Sequence, residues 1–124
     1  MVERDWTTIT KDEFLAEIRA VCEDLRAGRI PRDVHFKMAA VRDSAEDWGI
    51  GCGTVCCIGG WAEMRLGVPE RDSGKLMSKW TTPHDRDVYD ARLDGLFYQY
   101  TSDDPADAAC AIDRYFAEDG HPWG

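Results

Sequence analysis

A chain of 124 residues, 44% hydrophobic and 31% charged, is sized for one globular domain spanning 1–124, and this balance excludes a disordered chain. Its net charge of −9 is concentrated: Thr81 to Gly124 carries ten acids against three bases, a net of −7, whereas residues 1–80 carry fourteen acids and twelve bases. A third with that field repels phosphate, which excludes direct nucleic-acid binding there, and it fits either a solvated acidic face or a face for a basic protein.

The apolar runs last only a few residues, so no segment is expected to span a membrane. The opening Met1-Val2-Glu3-Arg4-Asp5-Trp6 lacks the basic-then-apolar pattern of a signal peptide. Five cysteines, an odd number, without such a signal predict reduced thiols in a cytoplasmic protein.

The first helix is strongly signalled. Thr10 with Glu13 three residues on makes a capping box, and Ile9 with Phe14 a hydrophobic staple. Phe14, Ile18, Val21 and Leu25 recur at helical spacing, joined by Leu15 and Cys22, and Gly28 is a suitable stop. Over 34–41 two readings stand: Val34, Phe36 and Met38 alternate as in a short extended piece, while Val34, Met38 and Val41 fit a helical turn. Residues 43–51 read as a polar loop ending in glycines.

The densest stretch is Gly51-Cys52-Gly53-Thr54-Val55-Cys56-Cys57-Ile58-Gly59-Gly60-Trp61-Ala62. With Thr54 as cap and Gly67 as stop, it predicts a central helix, apolar nearly all round. Gly59 and Gly60 each cost a helix about 1 kcal/mol relative to alanine, which close approach of another backbone would offset. Leu76, Met77 and Trp80 suggest a weaker helical segment. Thr82-Pro83-His84-Asp85 reads as another helix start, with Val88, Tyr89 and Leu93 as its apolar stripe. Asp104-Pro105-Ala106-Asp107 repeats that signal for a last helix, whose inner face is Ala108, Ala109, Ile112, Tyr115 and Phe116 and whose stop is Gly120. Trp123 in the tail is expected to fold back on the core. The sum is an all-α domain of four to five helices around the cysteine-glycine helix, with room for a short extended piece near 34–41.

Three chemistries compete for the cysteine segment. A zinc site would use Cys52, Cys56 and Cys57 with a fourth ligand from His84, His121, His35 or Cys110; Cys52 and Cys56 have half of the usual spacing, but no second pair follows, and adjacent Cys56 and Cys57 point apart on a helix. Cys56 or Cys52 at a helix start has the setting of an activated thiolate, yet no local signature puts a histidine beside it. A third reading treats the thiols as small hydrophobes filling gaps. A phosphate cradle is excluded, because no Lys or Arg lies within the glycine-rich stretch. No residue is therefore assigned a catalytic, cofactor-binding or metal-binding role.

The run Cys52-Gly53-Thr54-Val55-Cys56-Cys57-Ile58-Gly59-Gly60-Trp61-Ala62 resembles a motif in a loose group of small bacterial and phage proteins without an established activity. Leu96-Phe97-Tyr98, the alanines around Ile112 and Gly120-His121-Pro122-Trp123 are similar to later parts of that group. Cys57 stands where many of those proteins place another residue. The resemblance implies a bacterial cytosol and a phage or mobile-element setting, and it supplies no catalytic residue.

The resulting expectation is a small acidic interaction protein, of the kind phages encode to inhibit a host defence system such as CRISPR. Its partner would be a host protein with a basic or nucleic-acid-binding surface. The contacts would come from Asp85, Asp87, Asp90 and Asp94 on one helix, joined by Asp103, Asp104 and Asp107. Asp87, Asp90 and Asp94 would share a helix face. A cysteine-dependent enzyme and a zinc-stapled domain are the alternatives.

Overall fold

The computed structural model describes residues 3–124; the opening Met1-Val2 lies outside them. Helix α1, Lys11–Ala27, starts and stops where its sequence dictates. Thr10 Oγ1 accepts the Glu13 N–H at 3.1 Å, Glu13 Oε1 accepts the Thr10 N–H at 3.3 Å, and Gly28 closes the helix in the left-handed region. Phe14, Ile18, Val21, Cys22 and Leu25 form its buried face.

The cysteine segment departs from the expected helix. Thr54–Cys56 is a strand, β3, and the helix that follows, α2, runs only over Ile58–Arg65. Thr54 is not its cap. Cys57 is, with its sulfur accepting the Gly60 N–H at 3.4 Å. The β-branched pair Thr54-Val55 favours extended backbone, and strands on both sides satisfy its polar groups. Val34–Phe36 (β1) pairs with β3 in parallel, Arg42–Ser44 (β2) pairs with it antiparallel, and the sheet order is β1-β3-β2. The extended reading of 34–41 thus holds for its first residues. The molecule is mainly helical and not purely all-α.

The register sorts the sheet into two faces. Phe36, Cys56 and Arg42 lie in one row, and Phe36 and Cys56 enter the main core. His35, Val55 and Asp43 lie in the opposite row, where Val55 joins a small separate cluster with Ala40 and Ala45.

Helix α3, Lys75–Ser78, is one turn carrying Leu76 and Met77 into the core. The helix expected from Thr82 does not form. Residues 82–89 make turns, with Asp85 N–H on the Thr82 carbonyl and Tyr89 N–H on the Asp85 carbonyl, and helix α4 spans Ala91–Tyr98. The stretch lacks a continuous apolar stripe, and Val88 is exposed; without packing, so short a helix does not persist. Helix α5, Pro105–Ala117, begins at the expected Asp104 cap but ends before Gly120, with Glu118 in the left-handed region. Trp123 does fold back, its indole N–H donating to the Leu96 carbonyl at 2.9 Å.

Helix α1 packs on α2 and α5, and α4 packs on α5. Phe14 stacks on Trp80 and meets Phe97 edge-on, joining the N-terminal helix to both later segments. Among the described residues no helix is long and apolar enough to cross a membrane.

Candidate interaction surface

The two cysteines at the heart of the motif are structural in placement. Cys56 and Cys57 are buried. Burial pushes the Cys56 thiol up to about 12, with Cys57 adding to the effect. Burial pushes Cys57 up to about 11, against N–H groups of Gly60 and Gly59 that favour its thiolate. Cys22 is likewise buried and raised to about 11, chiefly by desolvation. Thiols held that high stay protonated at neutral pH and are poor nucleophiles. Cys52 and Cys110 are exposed.

The histidines do not converge on these sulfurs. His35 Nε2 lies 2.9 Å from the Cys52 carbonyl, not from its thiol. His84 is exposed in the 82–89 turns, and His121 Nε2 lies 2.6 Å from Gln99 Oε1. Among the described residues no three His, Cys, Asp or Glu side chains gather as metal ligands.

The expected acidic helix face is dismantled by the fold. Asp87 lies in the turns, Asp90 is the cap of α4, and Asp94 lies within α4, so the three share no helix face. Asp90 accepts the Arg92 and Leu93 N–H groups, the Tyr115 hydroxyl at 2.5 Å, and an ion pair from Lys11 at 3.0 Å. Burial works against its ionisation, but Tyr115, the Leu93 N–H and Lys11 together outweigh it and hold the carboxyl below the ordinary aspartate range. Asp94 accepts the Tyr89 hydroxyl at 2.6 Å, and Asp103 accepts the Met38 N–H at 2.8 Å, tying the 99–104 loop to the turn after β1. Asp90 and Asp94 are structural ties, and Asp103, though hydrogen-bonded, remains exposed.

Asp104 caps α5 through the Ala106 N–H at 2.8 Å, and Asp107 accepts the Ser102 hydroxyl at 2.8 Å; both remain exposed. Asp85 and Asp87 are exposed, and among the described residues their carboxylates make no ion pair. Of the expected set, the outward carboxylates therefore fall into two stretches of chain, one before α4 and one after it. Asp85 and Asp87 stand beside exposed Val88 in the first; Asp103, Asp104 and Asp107 follow exposed Tyr98 and Tyr100 in the second.

Sequence reasoning missed three groups. Glu63, on the apolar helix α2, is fully buried; its carboxylate accepts the Gly74 N–H at 2.8 Å and the Met77 N–H at 3.0 Å, capping α3. Burial pushes its pKa up, against these hydrogen bonds and the nearby Arg42. A lone acid among apolar neighbours was the available signal. Arg92 reaches back to the carbonyls of Tyr115, Arg114 and Gly120 and closes the C-terminus of α5. Trp48 and Ile50, inside a stretch that reads as a polar loop, are 39% exposed each.

Comparison with known proteins finds no matching family model, no similar curated protein and no similar solved structure.

Proposed function

We propose that this protein is a small acidic binding module that engages a host protein with a basic or nucleic-acid-binding surface. Its role would be that of a phage- or mobile-element-encoded inhibitor of the anti-CRISPR kind. The observation that carries the reading is the division of labour in the molecule. Residues 55–62 of the cysteine-glycine motif are committed to the core, while the −7 imbalance of the C-terminal third leaves Asp85, Asp87, Asp103, Asp104 and Asp107 exposed in the same stretches of chain as exposed Val88, Tyr98 and Tyr100. Exposed carboxylates next to tyrosines suit a surface that steers a cationic partner and then buries apolar area against it. The resemblance to small bacterial and phage proteins supports the biological setting.

The test is capture from a bacterial host lysate by the wild-type chain and by an Asp85→Lys/Asp87→Lys variant, followed by titration of the purified partner. Between about 0.1 M and about 1 M salt the screening length falls from about 10 Å to about 3 Å. Affinity is expected to drop at least about tenfold over that range and to be lost in the variant. A salt-independent affinity, or equal capture by the variant, overturns the reading.

A further inference from the structure

The outer face of the three-stranded sheet carries a surface that the C-terminal acids do not explain. Its base is the row His35, Val55 and Asp43. The segment from Ala45 to Gly53, which opens with a 3-10 turn over Ala45–Trp48, folds across that row like a roof. Its fastenings are explicit. The Ala45 N–H donates to the Gly53 carbonyl at 3.0 Å, the Ile50 N–H to the Ala45 carbonyl at 3.0 Å, and the Gly49 N–H to the Glu46 carbonyl at 3.1 Å. The Trp48 indole N–H donates to Asp43 Oδ2 at 2.9 Å, and His35 Nε2 meets the Cys52 carbonyl at 2.9 Å. Gly49, Gly51 and Gly53 take positive φ values of 69°, 111° and 102°, which side-chain-bearing residues adopt only with strain. The roof is thus preset rather than slack.

A preset loop leaves Trp48 and Ile50 at the surface. The indole's single polar atom is committed to Asp43, so what Trp48 offers a partner is its carbon face. The charge on its own segment of chain has one sign. Asp43, Glu46 and Asp47 are exposed, and no Lys or Arg occurs between Arg42 and Arg65. A nucleic acid is repelled by this set of charges. A second copy meeting the patch about a two-fold axis would set the same three carboxylates against themselves. The complement is a cationic segment: Lys or Arg over the indole face and against the carboxylates, with an apolar side chain beside Ile50. A loop already ordered loses little freedom on binding.

We propose that Trp48 and Ile50, ringed by Asp43, Glu46 and Asp47 on the outer face of the sheet, form a docking surface for a basic protein segment carrying an apolar anchor. This goes beyond the function proposed above and needs none of the C-terminal carboxylates.

The experiment is selection of random displayed dodecapeptides on the full chain, then fluorescence anisotropy of the enriched peptides with defined variants. Enriched peptides are expected to place Lys or Arg next to a large apolar residue. Trp48→Ala and Glu46→Lys/Asp47→Lys are each expected to weaken binding by at least about tenfold. Ile50→Lys, which removes no hydrogen bond of the roof, is expected to do the same and serves if Trp48→Ala fails to fold. Asp85→Lys/Asp87→Lys is expected to change affinity by less than about twofold, because it acts on another segment. The inference is overturned by no enrichment, by enriched peptides without basic residues, by undiminished binding to Ile50→Lys, or by a dimer that Ile50→Lys dissociates. If only the Asp85→Lys/Asp87→Lys variant loses the peptides, this surface fails and the C-terminal reading stands.

Discussion

Gly60 has no room for a side chain. A Cβ built there would lie 1.6 Å from the Val41 carbonyl oxygen, a backbone atom that cannot turn aside. At Gly59 the same addition meets the buried Met77 side chain, Cε and Sδ at 2.6 Å and Cγ at 2.8 Å, atoms that can turn where a backbone carbonyl cannot. Two adjacent glycines in an apolar helix announce a close neighbour, and one is there. Which glycine faces backbone and which faces a flexible thioether depends on how the helix is rotated against the 37–41 loop and α3, which is a tertiary matter. Gly60→Ala is therefore expected to cost at least about 3 kcal/mol, at or beyond the usual range for overpacking. In Gly59→Ala the helix regains about 1 kcal/mol of propensity, and its net cost should stay below about 1 kcal/mol. Urea denaturation of the two variants checks this; equal losses would contradict it. Glu63 teaches the complementary lesson. Its identity was plain in the sequence, but the N–H groups it accepts belong to Gly74 and Met77 in another element, so nothing local could assign it.

Among elements, the helix starts separate cleanly by the range of the forces that decide them. Thr10 and Asp104 were legible as caps because a capping bond closes within three residues. Thr54 and Thr82 carry the same chemistry and start no helix. At Thr54 two partner strands outcompete the helix, and at Thr82 no apolar stripe holds one down. Asp90, read from sequence as a surface carboxylate, instead starts α4 and ties it to α5 and α1 through Tyr115 and Lys11. Asp90→Ala removes a cap worth about 1 kcal/mol and leaves the Tyr115 hydroxyl without its partner, at about 1–2 kcal/mol more. The expected total is about 2–3 kcal/mol near neutral pH. Because the folded state holds Asp90 below its ordinary range, its contribution is complete above that range and is lost as pH falls through the folded value. The stability gap between wild type and Asp90→Ala should accordingly narrow as pH drops below about 4. A gap that widens on acidification would refute the assignment.

At the scale of the whole molecule, the thiols report the packing. Alkylation of the native chain at neutral pH is expected to label Cys52 and Cys110 and to leave Cys22, Cys56 and Cys57 unmodified until the chain unfolds. Mass spectrometry of the labelled peptides reads the pattern, and native labelling of Cys56 would return the motif to candidacy as a reactive site. Sequence alone determined the local terms: the α1 capping box and buried face, the α5 start, the concentration of negative charge, and the demand for a close neighbour at the paired glycines. These follow from side-chain periodicity, capping bonds and charge, all set within a few residues. Tertiary structure decided the rest. It made 54–56 the middle strand of a sheet, drew Asp90 and Asp94 into structural ties around the first turn of α4, and raised Trp48 and Ile50 onto a fastened roof. Most of this depends on partners distant in the chain: Asp33 and Arg42 around β3, Tyr115 on Asp90, and His35 beneath the 45–53 segment. A polar group's role is settled by the partner it meets when desolvated, and only the folded chain brings that partner within hydrogen-bond distance.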